Sequence, residues 1–325
     1  MLRYTVRRVL WLIPIICIVV FILYFLLDHA PGSIVDQMTT GDMTEAEMAQ
    51  LREQFDLDKS VFYRYVKYMI GLVQGNLGVS QATRTSVWHE FITRFPNTIV
   101  LALSGLVIGV VIGVPLGINA AKRPGSIYDN FTTMFAMVGM SMPNFWLGLL
   151  LMLLFSYKLK IFPTGGIGGL SGGLLGMVLP AISTSLMMIA TTTRQVRSSM
   201  LENIRSDYLR TARAKGVSEH DVIYKHALGN AWIPIITSIG GTLTTSMAGS
   251  AVIETVFSWP GVGKLTVDAV MRRDVTVVCG CVILTTIIYV VLLLLVDILY
   301  AFVDPRIKSQ YTSRSKKKKK GRVAV

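Results

Sequence analysis

The side chains that could do covalent or metal chemistry fail the spacing tests for it. Pro260-Gly261-Val262-Gly263-Lys264-Leu265 looks like a phosphate-binding loop, but Ser258 stands where the first glycine is needed and Leu265 where a Ser or Thr is needed. The run Thr164-Gly165-Gly166-Ile167-Gly168-Gly169-Leu170-Ser171-Gly172-Gly173 is not followed by the Lys-Ser/Thr pair either. Cys17, Cys279 and Cys281 all lie in apolar stretches, and His220 and His226 are six apart, which does not place both on one helix face. Ser141, Ser183 and Ser185 lie in apolar spans with no His in a later span to act as base, which argues against an intramembrane hydrolase. Ion pairing is what remains. From Asn203 to Ala231 a polar island carries Arg205, Arg210, Arg213 and Lys215 beside the small Ala212 and Ala214. Such residues let a helix sit close in a groove and pair with carboxylates on its rim, which suits docking into another protein. The plain alternative is an ordinary basic cytoplasmic loop of a membrane protein.

The local pattern predicts how those residues are held. Arg205 to Lys215 contains no Gly or Pro and is rich in Ala and long straight side chains, so a short helix from about Asn203 to Lys215 is expected to stop at Gly216, a residue suited to a left-handed C′ position. Ser218 with Asp221 three residues on is a variant of the capping box, and Val222, Ile223, Ala227 and Leu228 follow at roughly helical spacing. The island therefore reads as helix, glycine joint, helix.

With 325 residues, 52% of them hydrophobic and 16% charged, and a mean hydropathy of +0.55, the chain has the composition of a polytopic integral membrane protein. The net charge of +13 does not indicate nucleic acid, because the basic residues flank apolar spans. Six all-α transmembrane helices are expected: Val9 to Leu27, Thr98 to Ala121, Phe131 to Tyr157, Leu174 to Thr193, Ala231 to Ile253 and Val275 to Val303. Val9 to Leu27 is expected to be a span and not a signal peptide, since Asp28-His29-Ala30-Pro31-Gly32 lacks a cleavage pattern. Lys and Arg number three in 1–8, two in 121–130, seven in 194–230 and nine in 304–325, together 21 of the 32, which predicts both termini in the cytoplasm.

The chain divides accordingly into an N-terminus with the first span (1–27), an extracytoplasmic helical insertion (28–97), a five-helix core (98–303) that includes the loop 194–230, and a basic tail (304–325). In the insertion, Thr44 and Glu47 predict a capped helix through about Gln54. Ser60 to Val73 places Val61, Tyr65, Tyr68, Met69 and Leu72 on one face, to lie on the membrane or on the bundle. Gly109, Gly113 and Gly117 recur every four residues, spacing that permits close helix approach, and Pro115, Pro143 and Pro234 permit bends. Asp297, an acid inside the last span, is either functional or paired with an Arg such as Arg306. The five lysines 316–320 suit a disordered tail drawn to anionic lipid.

Thr211-Ala212, Gly216 four residues later and His226-Ala227-Leu228 before a span resemble the EAA motif of importer-type ABC transporter permeases, with Arg210 where that motif has an acid and Gly229 where it has a proline. Further likeness lies in Arg7-Arg8, Gly75-Asn76-Leu77-Gly78, Phe162-Pro163-Thr164-Gly165-Gly166, Phe257-Ser258-Trp259-Pro260-Gly261-Val262-Gly263 and the segment Asp297 to Arg306. Together these resemble the first permease subunit of dipeptide or oligopeptide ABC importers, over nearly the whole chain. The resemblance implies a type I importer permease fold in a prokaryotic inner or plasma membrane. It also implies a second homologous permease subunit, two cytoplasmic ATPase subunits that carry ATP and magnesium, and an extracytoplasmic solute-binding protein. No cofactor and no enzymatic activity are expected in this chain. Asp207, Tyr208, Arg210, Thr211, Ala212, Arg213, Ala214, Lys215 and Gly216 become the candidate ATPase-docking and coupling residues. Phe257, Trp259, Pro260, Gly261 and Gly263 become a candidate loop facing the binding protein, or simply a cap on the bundle. A nickel-importing permease on the same scaffold and a single-component secondary transporter are the rival readings.

Overall fold

Two long helices meet along a stripe of glycines, and the rest of the bundle is arranged around that seam. The computed structural model describes residues 2–29, 44–166 and 173–303. The expectations for the basic tail, for Arg306 and for most of the Gly-rich run lie outside the described residues. In chain order the helices are α1 (Leu2–His29), α2 (Glu45–Gln54), α3 (Val61–Val73), α4 (Val87–Lys122), α5 (Ile127–Ser141), α6 (Asn144–Leu151), α7 (Leu175–Ile204), α8 (Asp207–Ala214), α9 (Leu228–Val256), α10 (Val262–Met271) and α11 (Val275–Val303).

The seam joins α4 to α7, the most extensive helix pair in the fold. A methyl group added at Gly105 would lie 2.9 Å from Thr184 Cγ2, at Gly109 2.6 Å from Met188 Cβ, at Gly113 2.9 Å from Thr192 Cβ and at Gly117 2.6 Å from Val196 Cβ. Four glycines spaced by four on one helix thus face four side chains spaced by four on the other. The contact is as close as two backbones allow, and Thr193 Oγ1 donates across it to the Gly113 carbonyl at 3.3 Å. Gly105 belongs to the stripe that the sequence pattern began at Gly109.

Among the described residues four helices are long and apolar enough to cross a membrane: Thr5–His29, Val87–Lys122, Leu175–Ile204 and Val275–Ile298. The expected span Phe131 to Tyr157 is not one straight helix. It bends by 99° between Ile127–Ser141 and Asn144–Lys158, α6 continuing as a π-helical stretch Met152–Lys158. The cause is Pro143, which cannot donate to the α5 ladder and holds Met142 in an extended conformation (φ −83°, ψ 124°). The fifth expected span, Ala231 to Ile253, falls in α9, which has length to spare at 29 residues but is rich in Gly, Ser and Thr. Its hydroxyls return to its own carbonyls: Thr237 to Ile233 at 2.8 Å, Thr242 to Ser238 at 2.9 Å, Thr244 to Gly240 at 2.8 Å and Thr255 to Ala251 at 2.7 Å. Each of these hydroxyls has an acceptor within its own helix.

The insertion packs on the bundle. Thr44 N donates to Glu47 Oε2 at 2.8 Å and opens α2, and Ser60 Oγ accepts from Tyr63 N to open α3. Tyr68 is buried with Val20 and Tyr24 of α1 and Cys279 and Ile283 of α11, flanked by Val61, Tyr65, Met69 and Leu72. Asp274 locks this arrangement: its carboxylate accepts from Ser80 Oγ at 2.6 Å, from Ala82 N at 3.1 Å and, at the start of α11, from Val277 N at 3.2 Å. Two ion pairs tie helices at the other end, Arg8 with Asp297 between α1 and α11 and Asp129 with Arg197 between α5 and α7, where Arg197 Nη2 reaches Asp129 Oδ2 at 2.8 Å.

Candidate functional site

One apolar residue seats the polar island. Leu209, in the middle of the otherwise polar α8, is fully buried in a cluster with Ile118, Ala121, Val196, Met200, Val222, Ile223 and Ala227, drawn from α4, α7 and the helix that follows. The helix lies flat on the end of the bundle, with one side chain as its anchor. Its start corrects the expected boundary: Asn203 and Ile204 belong to α7, and the chain breaks at Arg205 and Ser206 before α8 begins at Asp207. Tyr208 Oη donates back across that break to Asn203 Oδ1 at 3.0 Å.

Burial sorts the nine candidate residues into two sets. Asp207, Tyr208, Arg210, Thr211, Arg213, Ala214, Lys215 and Gly216 are exposed, whereas Ala212 is half-buried and packs against the Leu209 cluster. The expectation that both alanines open the helix to a groove is corrected to Ala214 alone. Ala212 lets α8 sit close on its own bundle. Asp207 and Arg210 stand 3.7 Å apart and almost fully exposed, so both charges are available to a partner.

The glycine joint forms as the sequence predicts. Gly216 has φ +78°. Its N–H donates to the Arg213 carbonyl at 3.0 Å, and Val217 N donates to the Ala212 carbonyl at 3.3 Å. This is the pair of reversed bonds that closes a helix through a left-handed residue. Ser218 Oγ accepts from Asp221 N at 3.2 Å. From there a helical turn, Glu219–Asp221, and a π-helical stretch, Val222–Ala227, run without a break into α9.

Two contacts that spacing did not reveal brace the joint. Arg213 reaches over Gly216 to Glu219 with Nε–Oε2 at 3.0 Å and Nη2–Oε1 at 2.9 Å. The hydrogen-bonded guanidinium holds the Glu219 carboxyl below the usual glutamate range, and the same pairing raises Arg213. Lys122, at the end of α4, donates to Tyr224 Oη at 2.7 Å and lies 4.5 Å from the centre of that ring. Both pairs join an acid or phenol to a base more than one helical turn away, which periodicity does not detect. Among the described residues no group of three or more His, Cys, Asp or Glu could hold a metal.

The loop from Phe257 to Gly263 lies at the opposite end of the bundle. Phe257 and Trp259 are buried with Leu101, Leu179 and Ile253, so neither side chain is presented to an outside partner. Trp259 Nε1 donates to the Asn97 carbonyl at 3.0 Å, and Asn97 Nδ2 donates to the Pro260 carbonyl at 2.9 Å. Gly261 is buried against the Glu254 side chain, and a methyl group at Gly263 would fall 2.8 Å from Ala251 Cβ. Glu254 in turn accepts from Thr98 Oγ1 at 2.8 Å and from Lys264 N at 2.9 Å. Both aromatic side chains thus belong to the packed interior of that end of the bundle. Ser258, with φ +49°, is the exposed residue of the turn.

Residues 113–309 match the family described as binding-protein-dependent transport system inner membrane component, and residues 1–102 match the N-terminal part of such membrane components. The chain is 37% identical over 315 residues to the oligopeptide transport system permease protein AppB of Bacillus subtilis, covering 95% of this chain and 100% of the relative. It is 36% identical over 337 residues to the dipeptide transport system permease protein DppB of Escherichia coli, covering 95% and 99%. Among solved structures, an inward-facing form of the MetNI methionine ABC transporter superposes with a TM-score of 0.54 at 18% identity, over 66% of this chain and 96% of that one, a likeness of fold. The chain belongs to the family of binding-protein-dependent transport system inner membrane components.

Proposed function

We propose that this protein is a permease subunit of an ATP-driven ABC importer and forms half of the translocation pathway for di- and oligopeptides. The observation that carries this reading is α8: an exposed polar helix seated by Leu209 and joined through Gly216 to a helical run that continues into α9. The names of the relatives favour peptide cargo over nickel. Asp297 is paired with Arg8, which argues against a free intramembrane carboxylate driving a single-component transporter.

In this reading the chain crosses the membrane six times. α1, α4, the bent pair α5–α6, α7 and α11 supply five crossings, and α9 is the sixth, its hydroxyls masked by its own carbonyls. The basic segments 1–8, 121–130, 194–230 and 304–325 face the cytoplasm, and the insertion and the Phe257–Gly263 loop face outside. Two ATPase subunits hydrolyse ATP, one of them docked on Asp207, Arg210, Thr211 and their exposed neighbours. A second permease completes the pathway and a solute-binding protein delivers the cargo. When the ATPases close, they push α8; the left-handed joint and the Arg213–Glu219 pair pass that displacement to α9. The cavity changes its side of access.

The test is reconstitution of the complete importer in vesicles, with peptide uptake and stimulated ATP hydrolysis both measured. Arg210→Glu reverses an exposed charge without touching the Leu209 cluster. Gly216→Pro removes both the positive φ and the Arg213-bound N–H. Either change is expected to lower both activities at least tenfold while the chain still assembles in the membrane. Full coupled uptake by both variants would sink the assignment of α8.

A further inference from the structure

Helix α3 of the insertion has three sides, and packing and ion pairs account for two of them. Val61, Tyr65, Tyr68, Met69 and Leu72 pack against α1 and α11. Arg64 and Lys67 form a polar side, paired with Asp28 and Asp56. The third side is apolar. Phe62, Val66, Ile70 and Val73 follow one another at helical spacing, and among the described residues this arc stands open, Phe62 being 64% and Val73 86% exposed.

The charges of α1 give the depth at which that arc lies. Arg8 and Asp28 bracket the uncharged run 9–27, which at helical rise is about 28 Å long, close to the hydrocarbon thickness of one bilayer. Tyr65 Oη donates to the Cys17 carbonyl at 3.3 Å. Cys17 lies about 16 Å along the helix from Asp28, near the middle of the run. The adjacent Arg64 reaches the opposite way, to Asp28. Neighbouring side chains of α3 thus extend to the middle and to the edge of one leaflet, which puts the helix between those levels and gives Arg64 the course of a snorkelling arginine.

We infer that α3 is immersed in the leaflet at the Asp28 end of α1, with the Phe62–Val73 arc against lipid acyl chains. The open arc is continuous with the exposed face of α1. Phe21 meets the Tyr65 ring edge-on at 5.4 Å, and the Phe62 ring lies 6.3 Å from the same ring. Phe21 belongs to the exposed stripe Ile18, Phe21, Ile22, Phe25 and Leu26 of α1, a helix long and apolar enough to cross a membrane. One apolar surface therefore runs from the span onto the insertion, and the polar side of α3 turns away from it, as in a helix set into a membrane interface. The insertion is then partly a membrane-embedded element, whatever cargo the protein carries.

The full chain, purified with the partners it carries, is reconstituted in vesicles of phosphatidylethanolamine and phosphatidylglycerol after nitroxide labelling of Phe62→Cys, Ile70→Cys or Lys67→Cys. Ile22→Cys on the exposed face of α1 supplies the acyl-chain reference. The unsubstituted chain, with Cys17, Cys279 and Cys281, supplies the labelling background. Collision of each label with molecular oxygen, which concentrates among acyl chains, and with a water-soluble nickel chelate is read by electron paramagnetic resonance. The labels sit on exposed positions, so folding is undisturbed, and recovery of the same partners as with the unsubstituted chain verifies this. Labels at 62 and 70 are expected to match the Ile22 reference, with oxygen collision severalfold above nickel collision, and the label at 67 to show the reverse ratio. Nickel collision dominating at 62 or 70 would place α3 above the membrane and overturn the inference. Low collision with both reagents there would overturn it too, since the arc would then be covered by protein, whether a partner permease or another segment of this chain.

Discussion

Single residues decide how closely this bundle packs. At Gly117 an added methyl group would lie 2.6 Å from Val196 Cβ and 2.7 Å from the Thr193 carbonyl. Neither is the tip of a flexible chain, so α4 and α7 must part to admit it. Gly117→Ala is expected to cost about 1–3 kcal/mol in thermal unfolding of the detergent-purified protein. At Gly229, also helical, nothing lies within 4 Å of the added methyl group. Gly229→Ala is therefore expected to stabilise the protein, by up to about 1 kcal/mol, through helix propensity alone. Equal effects at the two sites would show that the α4–α7 contact is looser than described. Trp259→Ala empties the hole at the other end and is expected to cost about 3–5 kcal/mol in the same measurement.

At the scale of the element, α8 depends on a pair whose charge can be titrated. The carboxyl of Glu219 is held below its ordinary value by Arg213, so the stability this pair contributes is fully present above the ordinary glutamate pKa of about 4.3 and is lost as the pH falls through the lower folded value. Arg213 is raised, so its share is lost only above an already very high pH. The protection of α8 amides from hydrogen exchange should stay level through neutral pH and fall only in acid. Arg213 and Glu219 are 37% and 59% exposed, so solvent and salt screen the pair and Glu219→Gln should cost no more than about 1 kcal/mol. Loss of protection already near neutral pH would show that some other group governs the joint.

For the whole molecule, the attachment of the insertion to the bundle runs through Asp274, which binds Ser80 and Ala82 on one side and opens α11 on the other. Asp274→Ala leaves a buried hydroxyl and buried amides unpartnered and is expected to cost about 3 kcal/mol. The loss should be local: residues 44–86 exchange and are cleaved faster, while the α4–α7 seam, which shares no side chain with Asp274, keeps its protection. Uniform loosening of both regions would mean that the insertion and core fold as one cooperative unit.

What the sequence by itself determined is everything carried by local periodicity and backbone preference. The helices of the insertion, the end of α8 at Gly216, the caps at Thr44 and Ser218 and the four-residue glycine spacing are each set by residues within about one turn of one another. The family resemblance adds those motifs together. The tertiary structure decided what depends on a partner far along the chain. Pro143 announced a possible bend, but the 99° angle depends on how α5 and α6 each pack against α7. Phe257 and Trp259 look like surface anchors until Leu101, Leu179 and Ile253 close around them. Asp297 finds Arg8, 289 residues away, and Ala212 turns inward because Leu209 fixes the roll of its helix. A side chain's environment is made by the neighbours that folding brings to it, and their identity is absent from any short window of sequence.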